Sequence, residues 1–360
     1  MKPVITNVDE VNSEWLTEAL ARSGALKAGV VASFAVERGA GNWSTSASLL
    51  LTYTEDARGV LPQRLFLKMV DADTGDGEYF DDSEVRYYTH DYTDVPQAPL
   101  LRCYDAVFSR ELLRYHLLLE DVSQTHVMAL DRAPTLEIAL ALAEGLAVMH
   151  ARWWGAERLA AIGAPVHDAA HVRRFVDIAE PGVAHILDCC ARALEPQWPA
   201  LLHQVYAQHP QAIVERASDP EAKGFTVIHG DAGGYNILVP REGVQPLYVI
   251  DRQPFDWSLT TWLGVYDLAY CTFHDWDVAT RRRLEMPMLR RYHQALQANG
   301  VTGYGWEQLL VDYRLCMPMG VYIATEYCRG GVNERFRHVW LPMLQRVLTA
   351  CEDLACAALW

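Results

Sequence analysis

"VIHGDAGGYNIL" (residues 227–238) sets His229, Asp231 and Asn236 on a glycine-loosened loop between two apolar runs. The pattern reads strand, polar loop, strand. Loops held between rigid strands are where chemistry tends to sit. Gly230, Gly233 and Gly234 permit backbone angles that other residues resist. The same letters also fit a plain hairpin whose Asp and Asn only make turns. The flanking sequence has to decide.

Downstream, "VPREGVQPLYVID" (239–251) closes a hairpin onto a second apolar strand ending at Asp251. Upstream, the first part of the chain is β-rich. Residues 8–23 read as a helix with an apolar stripe (Val8, Val11, Trp15, Leu16, Ala19, Leu20) stopped by Gly24. "GAGNWSTS" (39–46) lies between two strand-like runs, and Gly39 and Gly41 would let backbone N–H groups approach a phosphate. A simple hairpin turn explains the same glycines. "RLFLKMV" (64–70) is an apolar strand carrying one lysine, Lys68, which needs an anionic partner or a path to water. The acidic, glycine-rich 71–82 reads as a loop. "SEVRYYTHDY" (83–92) reads as a helix capped by Ser83, on which Glu84 could be that partner. "LLRCYDAVFS" and "YHLLLEDV" add two strands flanking a turn at Arg110-Glu111, the second turning polar at Glu120-Asp121.

After residue 130 the chain becomes helical. Residues 134–155 form a long helix between Pro134 and Gly155. Residues 156–222 read as helices broken at Pro181, Pro196, Pro199 and Pro210, and 262–360 as largely helical. The expected fold class is α+β, with two lobes: an antiparallel-sheet lobe over 1–122 and a larger, mainly helical lobe over 123–360. The 360 residues exceed one ordinary core, and 51% hydrophobic residues exclude disorder. A net charge of -15 argues against nucleic-acid and anionic-membrane partners, which need a positive surface. The eight scattered cysteines contain no CxxC and suit buried thiols in a reducing compartment. No signal-peptide core opens the sequence and no apolar run reaches spanning length, so the expected location is cytoplasmic.

Taken in order, a glycine-bearing turn, strand lysine, helix glutamate, polar strand end, Asp231 with Asn236 five residues on, and Asp251 follow the plan of a protein-kinase-like phosphotransferase. "HGDAGGYN" (229–236) and "VIDRQPFDWSLTTWLGVYDLAY" (249–270) more closely resemble the aminoglycoside phosphotransferase and choline kinase-like superfamily, whose loop reads HGDxxxxN. The resemblance runs from about residue 36 to 270. Three departures stand out. Ser44 replaces the third glycine of the phosphate loop, Tyr235 stands where a glycine is usual, and Arg252-Gln253 follow Asp251 where protein kinases have Phe-Gly.

The resemblance implies Mg²⁺ and ATP or GTP as co-substrate. It assigns the phosphates to Gly39, Gly41, Ser44 and Lys68, with Glu84 fixing the lysine. The adenine edges would go to the main chain at Leu119 and Asp121. Mg²⁺, a hard ion, would be held by the oxygens of Asn236 and Asp251. Asp231 would accept the proton of an acceptor hydroxyl, with His229 and Asp267 as structural supports. The acceptor implied is a small molecule, cationic or neutral: a sugar-containing or nucleoside antibiotic, or an amino-alcohol such as choline. Asp275, Asp277, Glu326 and Glu334 are candidates to meet a cation, and Trp153 and Trp154 read as core packing or pocket wall. Two rival readings stand beside this one. His229 and Asp231, two apart, could be metal ligands of a hydrolase, with His167-Asp168 or His274-Asp275 as partners. The fold could also bind nucleotide without catalysis. No GxxxxGK[ST] is present, which removes the P-loop class.

Overall fold

The computed structural model describes residues 3–40, 44–73, 75, 79–219 and 223–360. Gly41 lies outside the described residues. The N-terminal stripe splits in two. A 3-10 turn (Val8–Glu10) is followed by α1 (Ser13–Arg22), because Asn7 and Asn12 each cap a separate start with side-chain oxygens on Asp9 N and Trp15 N. Gly24 ends α1 at φ +72°. Strand β1 (Leu26–Ala28) pairs with β4 (Arg58–Gly59).

The main sheet has five antiparallel strands in the order β2 (Val31–Ala40), β3 (Ser44–Tyr53), β5 (Arg64–Asp71), β7 (Arg114–Glu120), β6 (Cys103–Ser109). Successive strand residues face opposite sides. Leu65, Leu67 and Met69 therefore join a small core beneath α1, with Trp15, Leu16 and Leu118. Val70, Tyr115, Leu117 and Leu119 join the large core instead, with residues from the helical half of the chain.

The helix expected over 83–92 is only partly regular. α2 (Ser83–Arg86) passes into a π turn (Tyr87–Asp91) that buries Tyr87 and Tyr88. Ser83 is not its cap; Asp82 holds that position without a side-chain bond, and Ser83 N–H donates to Asp81 Oδ1 at 2.7 Å.

The helical half follows β8 (His126–Met128). α3 (Leu136–Arg152) is capped by Thr135 and packs along α9 (Val278–Ala298). Between them in sequence come α4 (Ala156–Ala161), α5 (Ala169–Ala179), α6 (Pro181–Cys190) and α7 (Trp198–Ser218). Pro181 opens α6 and Pro199 sits in the first turn of α7, positions where a missing N–H costs nothing. Pro210, expected to break the helix, lies inside α7, which continues for eight residues beyond it. α8 (Val265–His274) is buried along its whole length. α10 (Trp306–Cys316), α11 (Met319–Glu326) and α12 (Arg337–Asp353) close the large core.

The opening stretch is not a hairpin. β9 (Phe225–Val227) pairs with β12 (Thr261–Leu263), whereas β10 (Ile237–Pro240) pairs with β8 and with β11 (Tyr248–Val249). The loop 228–236 thus crosses from one small sheet to another.

Candidate active site

That crossing presents the polar residues, and α8 holds them in place. Asp267, fully buried in the first turn of α8, accepts the backbone N–H of His229 (2.7 Å) and of Gly230 (2.8 Å) on its two oxygens. His150 of α3 donates Nε2–H to the same carboxylate at 3.1 Å. Burial pushes the Asp267 carboxyl up, but His150 and the Gly230 amide outweigh it and leave it below the usual carboxylate range. His229 donates Nε2–H to Ile250 O (2.8 Å) and accepts Asp231 N–H on Nδ1 (3.3 Å). Burial lowers its pKa, so the ring is neutral. Both ring nitrogens are spent on main chain, which removes His229 as a metal ligand. The far end of the loop is tied as well: Gly234 N–H donates to Asp275 Oδ2.

On this frame Asp231 and Asn236 face each other. Asn236 Nδ2 donates to the Asp231 main-chain oxygen and to its Oδ2, both at 3.0 Å. The Asn236 oxygen is thereby the atom left for another partner. Asp231 Oδ1 accepts the Tyr235 phenol, whose oxygen is 3.1 Å from that of Tyr270. Burial raises the Asp231 pKa above the ordinary carboxylate value.

Lys68 projects from the sheet face opposite α1. Its Nζ is 2.8 Å from both oxygens of Glu84, which also accepts the Tyr115 hydroxyl at 2.6 Å. The third Lys68 bond, 2.6 Å, goes to Asp251 Oδ1. Burial pulls the ammonium pKa down, but Glu84 and Asp251 raise it further, so Lys68 is charged. Asp251 has φ +65°, a conformation few non-glycine residues adopt, and its side chain is 37% exposed.

Ser44, His229, Asp231, Asn236 and Asp251 line one cleft of about 660 Å³. The remaining expected residues fall elsewhere. Gly39 lies in β2 opposite Ser46, where a Cβ would come 2.8 Å from Ser46 Oγ. Leu119 is a buried central-strand residue paired with Phe66 and Cys103. Asp121 follows the strand end, its carboxylate accepting Ser48 Oγ (2.6 Å) and Ser123 N (2.9 Å). Of the four acidic candidates for a cation, Asp275 and Glu326 reach the cleft. Asp277 caps α9, and Glu334 pairs with Arg337. Trp153 and Trp154 both pack against the large core, Trp153 within it and Trp154 at its edge. The sequence reading missed the Tyr235–Asp231 bond and the Asp275 anchor; a tyrosine where glycine is usual was the only signal for the first.

The donor set suits Mg²⁺. Asp251 and Asn236 offer hard oxygens to one cleft, and such an ion takes one or two protein ligands beside waters and phosphates. Among the described residues no three His, Cys, Asp or Glu side chains converge as a cage, so any ion there would rely on those further oxygens. Among the described residues no helix is long and apolar enough to cross a membrane.

No protein-family model and no curated protein matches the sequence. Solved structures do match the fold. A proposed aminoglycoside phosphotransferase of Ralstonia eutropha aligns over 94% of this chain and 98% of its own, at 14% identity and TM-score 0.56. Plasmodium vivax ethanolamine kinase aligns over 91% and 83%, at 12% identity and TM-score 0.52. Spectinomycin phosphotransferase, solved with ADP and spectinomycin, aligns over 96% and 99%, at 10% identity and TM-score 0.51. The chain therefore has the bilobal fold of the aminoglycoside phosphotransferase and choline kinase-like proteins.

Proposed function

We propose that the protein is a small-molecule kinase, moving the γ-phosphoryl group of ATP or GTP to an acceptor hydroxyl. The observation that carries the reading is Lys68. A buried lysine is clamped between Glu84 and Asp251, and Asp251 lines the same cleft as Asn236 and Asp231. Phosphoryl transfer needs mainly positioning and charge neutralisation. Lys68 would meet the phosphates as a point charge, with Gly39, Gly41 and Ser44 proposed as further phosphate contacts. Asp121, past the strand end, would offer main chain to the base, and Leu119, paired on both sides, would position that segment. Mg²⁺, held by Asn236 and Asp251, would neutralise phosphate charge.

Asp231 would orient the acceptor O–H and take its proton as that oxygen bonds to the γ-phosphorus. The bond to the β-phosphate oxygen breaks, and the leaving diphosphate keeps the electron pair. Burial keeps Asp231 basic enough to help, and Tyr235 and Asn236 fix its two oxygens. His229 and Asp267 hold the loop. The nucleotide lobe is taken to run over 1–122 and the acceptor lobe over 123–360. A cytoplasmic location fits a nucleotide-consuming enzyme.

The acceptor we infer is a ring-bearing alcohol, of the kind found in sugar-containing or nucleoside antibiotics, which would make the protein a resistance kinase. Trp257, Tyr266, Tyr270, Tyr327 and Phe336 line the cleft, and an aromatic wall suits such an acceptor. Asp275 is already committed to Gly234 and His274, which leaves less acidic surface for a polycation such as an aminoglycoside. A metabolic amino-alcohol kinase is the second reading, favoured by the same aromatic lining, since aromatic rings attract an ammonium group.

Incubating the protein with Mg-ATP or Mg-GTP and single acceptors from both classes, and weighing each acceptor by mass spectrometry, tests this. The expected result is a phosphorylated acceptor, lost in excess chelator. Full turnover in chelator, or nucleotide consumption indifferent to every acceptor, would overturn it.

A further inference from the structure

A second cavity, of about 480 Å³, shares no lining residue with the candidate active-site cleft. Its wall includes Arg252, the residue after Asp251, and Ser83 and Arg86, which flank Glu84 on α2. Arg252 is only 5% exposed. Its Nε–H donates to Ile228 O at 2.9 Å, and among the described residues its guanidinium has no other hydrogen bond and no ion pair. A buried charge without a counter-charge is costly.

Three carboxylates also line the cavity, each with a partner of its own, and among the described residues none forms an ion pair with Arg252. Asp81 accepts Ser83 N–H (2.7 Å), Asp168 accepts His171 N–H (2.9 Å), and Asp91 takes His90 Nδ1 (3.1 Å) with Arg86 at 3.7 Å. His167 lines the same cavity. His167 accepts Thr260 N–H on Nε2 at 3.0 Å, so its Nδ1 carries the proton. Burial and the stacked His171 ring, 3.8 Å away, push His167 down to about 4, so it stays neutral near pH 7. The wall is mixed, with Ser83, Thr260 and Thr261 beside the apolar Trp153, Ile162 and Val166.

We propose that this cavity binds a small molecule through an oxyanion, carboxylate or phosphate, seated on the Arg252 guanidinium and His167 Nδ1–H. The planar guanidinium fork matches two oxygens of either group. Trp153, Ile162 and Val166 would cover a compact apolar body. Such a ligand would bridge α2, which sets Glu84 and through it Lys68, to the strand end that sets Asp251. The functional consequence rests on the kinase reading, namely that an occupied cavity favours nucleotide binding; the binding itself does not.

Titration calorimetry with inorganic phosphate, and separately with acetate, tests the site on protein saturated with a non-hydrolysable Mg-ATP analogue at constant ionic strength. The analogue fills the γ-phosphate position as well, which ADP would leave open to the probe. One saturable site is expected for at least one probe, weakened at least tenfold in Arg252→Gln. Val166→Trp, which adds bulk to the cavity wall and keeps Arg252, should abolish the heat even if Arg252→Gln fails to fold. Absence of saturable binding for both probes, or undiminished binding in Val166→Trp, overturns the proposal. If the site binds but the affinity for the analogue is the same with and without the probe, the coupling is wrong and the site stands.

Discussion

Asp231 has both oxygens spoken for, Oδ1 by the Tyr235 phenol and Oδ2 by Asn236 Nδ2. An acceptor hydroxyl would thus meet a carboxylate whose rotamer is already set, and Tyr235 becomes the residue that tunes it. The Asp231 pKa is raised by burial, while the Tyr235 bond acts in the opposite direction by stabilising the charged form. A base works only when deprotonated, so activity should fall as pH drops through this raised value. Tyr235→Phe removes the opposing bond and should move the acid limb of the kcat/KM profile to higher pH, with nucleotide KM unchanged. A limb that stays in place, or moves to lower pH, would show that the phenol does not act through Asp231. Asp231→Asn is nearly isosteric yet cannot take a proton. It should bind Mg-nucleotide with near-native affinity by calorimetry and lose on the order of 10²–10⁴ in kcat. At this scale the spacing of His229, Asp231 and Asn236 was legible, because loop residue types and counts are written in the letters. The Tyr235 contact was not, since a sequence does not say where a phenol points.

The loop 228–236 keeps its shape through its neighbours. Its flanking strands join different sheets, and Asp267 at the start of α8 receives two of its amides. The two apolar runs were legible as strands, but not their partners: a three-residue strand carries no register signal, and β12 lies 34 residues after β9. The segmentation of 83–92 and of α7 at Pro210 failed for a similar reason, tertiary packing overriding local propensity. Removing the Asp267 carboxylate would leave two amides and His150 without their partner. Asp267→Ala should therefore cost about 3–5 kcal/mol of stability, the scale for breaking a buried charged network. Chemical denaturation checks it. The pH dependence has a definite sign. The folded Asp267 pKa is depressed, so its contribution is present above the unfolded value of about 3.9 and is lost as pH falls through the lower folded value. The gap between wild type and Asp267→Ala should stay constant through neutral pH and close only in strong acid.

Across the whole molecule, the switch from β-rich to helical sequence announced two lobes, because period and composition change along the chain. How the helices close the large core was not legible, since the pairing of α3 with α9 joins segments over a hundred residues apart. The sheet meets the helical half at Lys68, which binds Glu84 and Asp251 together. This position mixes a structural and a chemical role, and single substitutions confuse them. Lys68→Met leaves Glu84, 2% exposed, with Tyr115 as its remaining partner. An unpaired buried carboxylate should destabilise the protein by about 3–5 kcal/mol, so lost activity alone would say nothing about phosphate. Lys68→Met combined with Glu84→Gln removes both charges, and replacing a buried pair by neutral groups is often close to neutral in stability. The double variant should therefore recover most of the denaturation midpoint lost by the single one. Turnover should stay lost in both, because neither has an ammonium for the phosphates. Nucleotide binding should part from stability in the same way: saturation at 100 times Kd adds about 2.7 kcal/mol to the wild type, and the double variant should gain far less at that concentration. Recovery of turnover together with stability in the double variant would mean that Lys68 serves only to hold Glu84.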